Sequence, residues 1–194
     1  MNLPASELPA ERVRAWTTAL DAMASAGEAA VAATEQADLV AGTADALAGQ
    51  FADWVIVDIL PADQGMRGHG TRSVAGRRSR PDLASAVAGL HTADCPLTVS
   101  AMAQRTPRVQ AAIADPAELG VLPDGQRVTE ALGAGSYAIS PITVGGSALG
   151  AITIVRDRSR PPVTFLELSV LAHIADLAAA AIERLETGRR PPRC

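Results

Sequence analysis

The sequence predicts an α+β fold with a central antiparallel sheet of about five to six strands. Near its C-terminal end, two strand-like runs are separated only by Gly145-Gly146. Such a pair is typical of the tight turn between antiparallel strands, in which both positions need positive φ. Strong helical patterns lie at the two ends of the chain, so we expect these terminal helices to cover one face of the sheet together.

The N-terminal part of the chain predicts two helices. The first carries one narrow apolar stripe, as expected for a seam against a single partner helix. The stripe is formed by Val13, Trp16, Leu20 and Met23. Gly27 weakens this helix, and the alanines that follow can continue it. A second helix is predicted over residues 36–48, before Gly49.

The middle of the chain predicts strands that alternate with short helices. Residues 54–60 are rich in β-branched side chains and are followed by Pro61, which indicates a buried strand. Glycines at 68 and 70 loosen a second strand, predicted over 66–74. Further helices are predicted over 81–90, 96–104 and 126–132, with an edge strand over 108–113.

The last third of the chain has the clearest pattern. Strands are predicted over 136–144 and 147–155, on either side of the Gly-Gly turn. Thr164 and Glu167 have the spacing of a capping box, in which each side chain satisfies a backbone N–H at the start of a helix. The apolar face of this helix is formed by Leu171, Ile174, Ala178, Ile182 and Leu185.

Composition excludes several classes of function. The 194 residues contain 17 basic side chains, all of them arginine, so enzymes and phosphate loops that need a lysine are excluded. A net charge of −4 and 3% aromatic residues argue against binding to nucleic acid. No apolar run is long enough and sufficiently free of charges to predict a membrane span.

The chain is predicted to be a single cytoplasmic domain with extensions. Two cysteines, one of them the last residue, make no disulfide framework and favour a reducing compartment. The first residues lack the pattern of a secretory signal. We expect an N-terminal extension and helix over 1–35, the main domain over 36–186, and a disordered tail over 187–194.

Three segments resemble the GAF domain family. Residues 51–58 (FADWVIVD) are similar to its first strand, and residues 132–156, which include LGAITI, are similar to its signature hairpin. Residues 165–185 are similar to its closing helix. The resemblance covers roughly residues 36–185 and is nearest to the GAF domains of actinobacterial serine phosphatases and sensor histidine kinases.

The resemblance implies a sensory or regulatory module. GAF domains bind a small molecule or cofactor on one sheet face, beneath pocket-forming helices, and many dimerise through their terminal helices. The implied protein is therefore a homodimer that binds a ligand of unknown identity and acts on an effector such as a kinase or phosphatase. The cofactor is unknown: the lysine-containing cyclic-nucleotide signature is absent, and the order His91…Cys95 is the reverse of the bilin-binding arrangement.

Cys95 is the one residue that suggests an alternative function, a GAF-fold enzyme or redox sensor. It precedes Pro96 at the predicted start of a helix, where the helix dipole lowers the pKa of a thiol. A small residue at a helix cap is the plainer interpretation. His91 and Asp94 flank Cys95, but three such residues on one turn make a poor metal site, and we expect none. Haem ligation stays open for His69, His91 or His173.

The remaining candidate ligand-binding residues come from the predicted sheet and the helix opposite it. Asp58 lies in an apolar strand, where a buried carboxylate needs a partner. Arg67 and His69, with Arg72 nearby, could hold an anion or form an ordinary solvated surface. The other candidates, each of which could equally be part of the core, are Met102, Tyr137 and Ser140.

Overall fold

The computed structural model describes residues 10–60, 70–76 and 80–189. Within them the chain forms six α-helices, five strands and a single turn of 3-10 helix at Thr92–Asp94. The strands are β1 (Trp54–Ile59), β2 (Thr71–Gly76), β3 (Arg108–Gln110), β4 (Ala134–Val144) and β5 (Ser147–Asp157). The helices are α1 (Ala10–Ala32), α2 (Gln36–Leu47), α3 (Pro81–Ala88), α4 (Pro96–Gln104), α5 (Val128–Ala131) and α6 (Phe165–Arg189).

The five strands form one sheet in the order β2-β1-β5-β4-β3, and every neighbouring pair is antiparallel. The predicted α+β class and antiparallel sheet are confirmed. Gly145 and Gly146 both adopt positive φ in the β4–β5 turn, as the hairpin pattern predicts. The two long hairpin strands and the apolar β1 therefore make the centre of the sheet, and the short strands make its edges.

Each face of the sheet is covered by its own hydrophobic core. Val55, Val57 and Ile59 of β1 point into a core shared with α1, α2 and α6. The alternate residues Trp54 and Ile56 point into a second core with α3, α4 and α5. The terminal helices thus lie together on one face, as predicted, and we call the face beneath α3 and α4 the second face.

Some element boundaries differ from those predicted. The second strand is found at Thr71–Gly76; residues 61–69, where its predicted start falls, lie outside the described part of the chain. β3 is shorter than expected and ends at Gln110. α6 continues through Gly188 to Arg189, so residues 187–189, expected in the disordered tail, are helical; one exposed glycine costs a helix only about 1 kcal/mol.

α1 packs on the protein through its alanines, and its larger apolar side chains face outward. Its buried positions are Ala19, Ala22, Ala26 and Ala30, and Ala33, directly after the helix, is buried as well. Small residues allow close helix approach: a Cβ added at Gly42 of α2 would lie 3.0 Å from the Cβ of Ala29. Val13, Trp16 and Leu20 are 49%, 50% and 59% exposed. Three residues of the predicted seam therefore face outward, whereas the fourth, Met23, is partly buried against the core.

α6 combines the length of a membrane span with the burial of a core helix. By length and composition, residues 165–188 are apolar enough to cross a membrane, but half of the most apolar window is buried inside the protein. The predicted apolar face of α6 is buried throughout, from Leu171 to Leu185. This arrangement is typical of the central helix of a folded domain.

A buried ion pair joins the end of β5 to the start of α6. The guanidinium of Arg156 donates to both carboxylate oxygens of Glu167, and the two side chains are only 8% and 10% exposed. Arg156 also donates to the backbone oxygen of Phe51 at 3.1 Å. Glu167 completes the predicted capping box, since its Oε2 accepts from the backbone N and hydroxyl of Thr164, both at 2.8 Å.

We expect Glu167→Gln to destabilise the protein by about 3–5 kcal/mol, because it leaves the buried Arg156 without a counter-charge. Urea unfolding followed by circular dichroism measures this loss. Glu130→Gln is the matched control: its partner Arg127 and Glu130 itself are 52% and 45% exposed, so the change should be within about 0.5 kcal/mol. If both substitutions lowered the free energy of unfolding equally, the buried pair would stabilise the protein no more than an exposed pair does.

Candidate functional site

The second face of the sheet holds a buried ion pair between its first two strands. Asp58 of β1 and Arg72 of β2 are register partners, and Arg72 Nε donates to Asp58 Oδ1 at 2.5 Å. Their side chains are 1% and 5% exposed. Two charges buried this deeply are stable only as a hydrogen-bonded pair. Arg72 is therefore the partner that we expected a buried Asp58 to need.

Arg72 also connects the sheet to the helices above it. Its Nη1 donates to the backbone oxygens of Leu90, at 2.9 Å, and Val87, at 3.3 Å, where α3 ends. Its Nη2 lies 3.4 Å from the Sγ of Cys95. Burial acts against the charge, but Asp58 and Cys95 outweigh it and raise the pKa of Arg72 above its ordinary value. The guanidinium is thus committed to internal partners and is not placed to bind an external anion.

Cys95 closes the same cluster from the start of α4. It occupies the cap position before Pro96, as predicted, and is 4% exposed. Burial raises the pKa of its thiol above the ordinary value, although the nearby Arg72 acts in the opposite direction. The expectation that the helix N-terminus would lower this pKa is therefore wrong, because the loss of hydration exceeds the favourable charge effects. Cys95 remains a protonated thiol and donates weakly to the His91 backbone oxygen at 3.6 Å.

Thr92 supplies the last contact of this cluster. Its hydroxyl donates to Asp58 Oδ1 at 3.2 Å, and Thr92 is 6% exposed. We use the name polar cluster for Asp58, Arg72, Thr92 and Cys95. The cluster bridges two strands, the end of α3, the 3-10 turn and the start of α4.

An open cleft of about 590 Å³ lies on the other side of α4, at the β3 edge of the sheet. Its walls come from α4, β3, the loop before α5 and the first turn of α6, and we call it the outer cleft. Polar and apolar groups share the lining about equally, and the apolar side chains include Leu97, Val109, Phe165 and Leu168. Its volume lies within the range of small-molecule sites.

Two hydrogen-bonded side chains meet in the outer cleft. The hydroxyl of Tyr137, on β4, donates to the carboxylate of Glu118. Burial and the Glu118 carboxylate both raise the pKa of Tyr137, so that its hydroxyl stays protonated and remains a donor. Glu118 is also tied to α4, because its backbone oxygen accepts from Leu97 N at 2.9 Å. The polar end of the cleft is thus fixed to α4, the helix that Cys95 precedes.

The GAF domain model matches residues 37–182, about three quarters of the chain. This chain belongs to the GAF domain family. The match spans both cores and ends within α6, and it confirms the resemblance read from the first strand, the hairpin and the closing helix. Comparison with curated proteins returned no significant match.

Solved structures of similar fold are distant in sequence. Residues 122 to 287 of a methyl-accepting chemotaxis protein share 17% identity, with a TM-score of 0.65 over 86% of this chain and 99% of that one. The GAF domain of a phosphoenolpyruvate-protein phosphotransferase from Coxiella burnetii shares 16% identity, with a TM-score of 0.62 over 89% and 96%. Free methionine-R-sulfoxide reductase from Neisseria meningitidis shares 13%, with a TM-score of 0.64 over 97% and 98%. These similarities support the fold.

The GAF domain brings some of the predicted candidate residues together and separates others. Asp58 and Cys95 meet in the polar cluster, and Met102 is buried in the same core. Tyr137 lines the outer cleft. Ser140 is buried, but the alternation of side chains along β4 places it on the same face as Ala138 and Ile142. That face contacts α1, α2 and α6. Contrary to expectation, Ser140 and Tyr137 therefore lie on opposite sides of the sheet.

Of the histidine and arginine candidates, two have exposed side chains and two lie outside the described residues. His91 and His173 are exposed. Arg67 and His69 lie outside the described residues. Arg80, from the predicted basic loop, donates to the backbone oxygen of Ala131 at 3.2 Å. Over the described parts of the chain, no group of three or more His, Cys, Asp or Glu residues is placed to hold a metal ion.

Sequence reasoning missed residues of both sites, among them Thr92, Glu118 and Phe165. Thr92 could have been suspected, because a hydroxyl near a helix start is a common hydrogen-bond donor. Glu118 lies in a loop and reaches Tyr137, 19 positions away, only through the fold. Phe165 reads as an ordinary first residue of a helix, yet it is 78% exposed beside the outer cleft.

Alkylation kinetics test the state of Cys95. In a Cys194→Ser background, we expect iodoacetamide to modify folded protein far more slowly at neutral pH than urea-unfolded chain, because the thiol is buried and protonated. Since its folded pKa is raised, the folded state also loses stability as pH rises above the ordinary thiol pKa of about 8.5. Intact-mass time courses between neutral and alkaline pH measure the rate; equal rates for folded and unfolded chain would contradict the assignment.

Proposed function

We propose that this GAF domain is a non-catalytic sensory module that binds a small molecule in the outer cleft and passes the signal through its terminal helices. The observation that carries the proposal is the position of α6. Its first-turn residues Phe165 and Leu168 line the cleft, while the rest of the helix packs on the sheet and α1. A ligand in the cleft would thus contact the first turn of α6, the helix that extends from the cleft to α1.

The lining of the outer cleft indicates the kind of ligand. Leu97, Val109 and Phe165 offer an apolar surface, and the Tyr137–Glu118 pair offers polar groups at one end. Arg108, also in the lining, adds a cationic group. A ligand with an apolar or aromatic body and a polar end fits this distribution.

The proposed output is a helix pair that meets a second copy of the chain. Arg184 of α6 donates to the backbone oxygens of Ala30 and Ala33, both at 2.9 Å, so the end of α1 is fixed to α6. The outward stripe of Val13, Trp16 and Leu20 on α1 is then available to another helix. We propose a cytoplasmic homodimer through this stripe that acts on an effector protein such as a kinase or phosphatase.

A cleft-filling substitution tests the ligand site. Ser100 of α4 lines the outer cleft, so we expect Ser100→Trp to abolish retention of small molecules. Wild-type protein, incubated with a small-molecule extract of the expressing cells and desalted, should carry added mass in native mass spectrometry. Ser85→Trp, at an exposed position on α3, should keep that mass. Retention of the same mass by Ser100→Trp, or a bare wild-type chain, would count against the proposal.

A charge on the outer stripe of α1 tests the dimer. Leu20→Glu should weaken self-association by about 100-fold or more, equivalent to about 3 kcal/mol, because it removes an apolar contact and buries a carboxylate. Native mass spectrometry and light scattering should report twice the chain mass for wild type and the single chain for Leu20→Glu. Val121→Glu, 45% exposed and outside α1, is the control and should remain dimeric. A monomeric wild type would overturn this part of the proposal.

A further inference from the structure

The sheet has an open edge inside the outer cleft. β3 is the last strand in the order β2-β1-β5-β4-β3, and no strand of the described chain pairs with its far side. Its residues, 108–110, are half-buried and all line the outer cleft. The edge of a sheet offers main-chain N–H and C=O groups to another extended chain. The outer cleft therefore contains a surface that suits a strand.

The hydrogen-bond pattern of the sheet determines which main-chain groups of β3 face outward. Leu60 N donates to Leu149 O at 2.6 Å, so these residues form a hydrogen-bonded pair at the end of the β1–β5 ladder. In antiparallel sheets such pairs recur at every second residue, and the residues between them bond the strand on the other side. Ile152 of β5 and its partner Ser140 of β4 therefore bond each other. Pro141, the next residue, turns away from β5, which suits a residue without an N–H.

By the same alternation, one residue of β3 presents both of its main-chain groups to the outer cleft. Tyr137 and Ile139 of β4 bond toward β3, where their partners are Gln110 and Arg108. Val109, between those two partners, turns its N–H and C=O away from β4. Among the described residues neither group has a hydrogen-bond partner. One donor and one acceptor on the same residue match one residue of an added antiparallel strand.

The walls of the outer cleft lie on both sides of this edge. Leu97 of α4 belongs to the second core, whereas Leu168 of α6 packs against the opposite core. Both line the cleft, so the cleft extends around the edge of the sheet from one face to the other. Successive side chains of a strand point to opposite faces. An added strand would therefore place one side chain against α6 and the next against α4.

The side chains of β3 indicate the sequence of the segment that fits. Val109 packs against the core shared with α6, so its cross-strand neighbour should be apolar. Arg108 lies on the other face and carries a positive charge, so its neighbour should be acidic. The carboxylate of Glu118 is bonded to Tyr137, the register partner of Gln110, so the residue opposite Gln110 should be polar and uncharged. Read antiparallel to β3, the segment is polar, apolar, acidic.

We propose that the β3 edge is a docking site for an extended segment of an effector protein, which adds to the sheet antiparallel to β3. The central residue of the segment exchanges two main-chain hydrogen bonds with Val109, and the acidic residue after it meets Arg108. A second copy of the domain fits less well, because its own α4 and α6 flank its β3 and would meet those of the first copy.

This docking site deepens the function proposed for the outer cleft and rests on it only for the identity of the partner as an effector. A small molecule in the cleft and the docked segment would exclude each other, because both contact Leu97 and Phe165. Binding of the small molecule would thus release the effector segment.

The probe is a capped pentapeptide of sequence STVES, titrated into the ¹⁵N-labelled full chain and followed in ¹H–¹⁵N spectra. Its valine is placed opposite Val109 and its glutamate opposite Arg108. We expect a saturable downfield shift of the Val109 amide proton with a Kd of about 1 mM, since so short a strand makes few contacts. The amide of Val57, in the centre of the sheet, is the internal control.

N-methylation of the peptide distinguishes strand addition from other modes of binding. A methyl group on the nitrogen of the central valine removes the N–H that bonds the Val109 oxygen, so affinity should fall about ten-fold, the effect of one hydrogen bond. The N–H of the glutamate points away from β3. A methyl group there still favours extended backbone, as proline does, and should change the affinity by less than about three-fold. Equal losses for the two peptides would overturn strand addition.

Substitutions at Val109 test the edge from the side of the protein. Val109→Pro deletes the outward N–H and keeps the β3–β4 ladder, because proline is tolerated where an edge N–H faces solvent. We expect it to abolish the peptide-induced shifts of the Arg108 and Gln110 amides. Val109→Ala keeps the N–H and is the matched control, with an affinity within about three-fold of wild type. If Val109→Pro does not fold, the two N-methylated peptides still decide the question on the wild-type protein.

A substitution at Arg108 tests the preference for an acidic residue. Arg108→Gln should weaken binding of STVES about three-fold and leave binding of the glutamine peptide STVQS unchanged, because only the first pairing loses a charge interaction. The same titrations measure both affinities. Equal weakening for the two peptides would show that Arg108 does not select the acid.

The remaining outcomes separate this docking site from the small-molecule function. An unshifted Val109 amide at about 10 mM peptide, with an added mass retained by wild-type protein in native mass spectrometry, would overturn docking and leave the small-molecule site standing. A bare wild-type chain that shows the peptide shift would have the reverse meaning. A shift of the Val109 amide on raising the protein concentration alone would assign the edge to a second copy and overturn the effector segment.

Discussion

A single carboxylate buried in the sheet determines much of what lies above it. Asp58 stands in a strand whose neighbours are all apolar, and an unpaired charge at that depth would cost several kcal/mol. Arg72 offsets that cost, and its remaining donors hold the end of α3 and contact the thiol that begins α4. The helices of the second face are therefore positioned by hydrogen bonds that originate from one ion pair, in addition to hydrophobic packing.

The opposite face depends on the second buried pair, between Arg156 and Glu167. This pair fixes the direction in which α6 leaves β5, and α6 in turn supports α1 and α2. The first turn of α6 then reaches the outer cleft, on the edge between the two faces. The molecule thus has two cores, each with its own ion pair, and one helix that contacts both the cleft and the outward surface of the domain.

Features that depend on residues close together in the chain could be predicted from the sequence alone. The Gly145-Gly146 turn and the Thr164–Glu167 capping box each depend on residues adjacent in the chain, so local chemistry determined them. The facing of α1 could not be predicted, because its alanines and its larger apolar residues both have helical spacing, and only the close approach of α2 favours the smaller side chains. The contact of Tyr137 with Glu118, and that of Asp58 with Arg72, arise from tertiary pairing, which no local pattern encodes.

The glycine in the LGAITI motif has a consequence for the chemistry of the second face. A Cβ added at Gly150 would lie 2.0 Å from the carbonyl oxygen of Asp58, closer than any real contact permits. Every other amino acid at this position would push β1 away from β5 at the residue that carries the buried carboxylate. The residue that makes the hairpin recognisable in sequence therefore also sets the spacing between Asp58 and its neighbours on β5. The close approach of two backbones at Gly150 thus fixes where the buried carboxylate lies relative to β5.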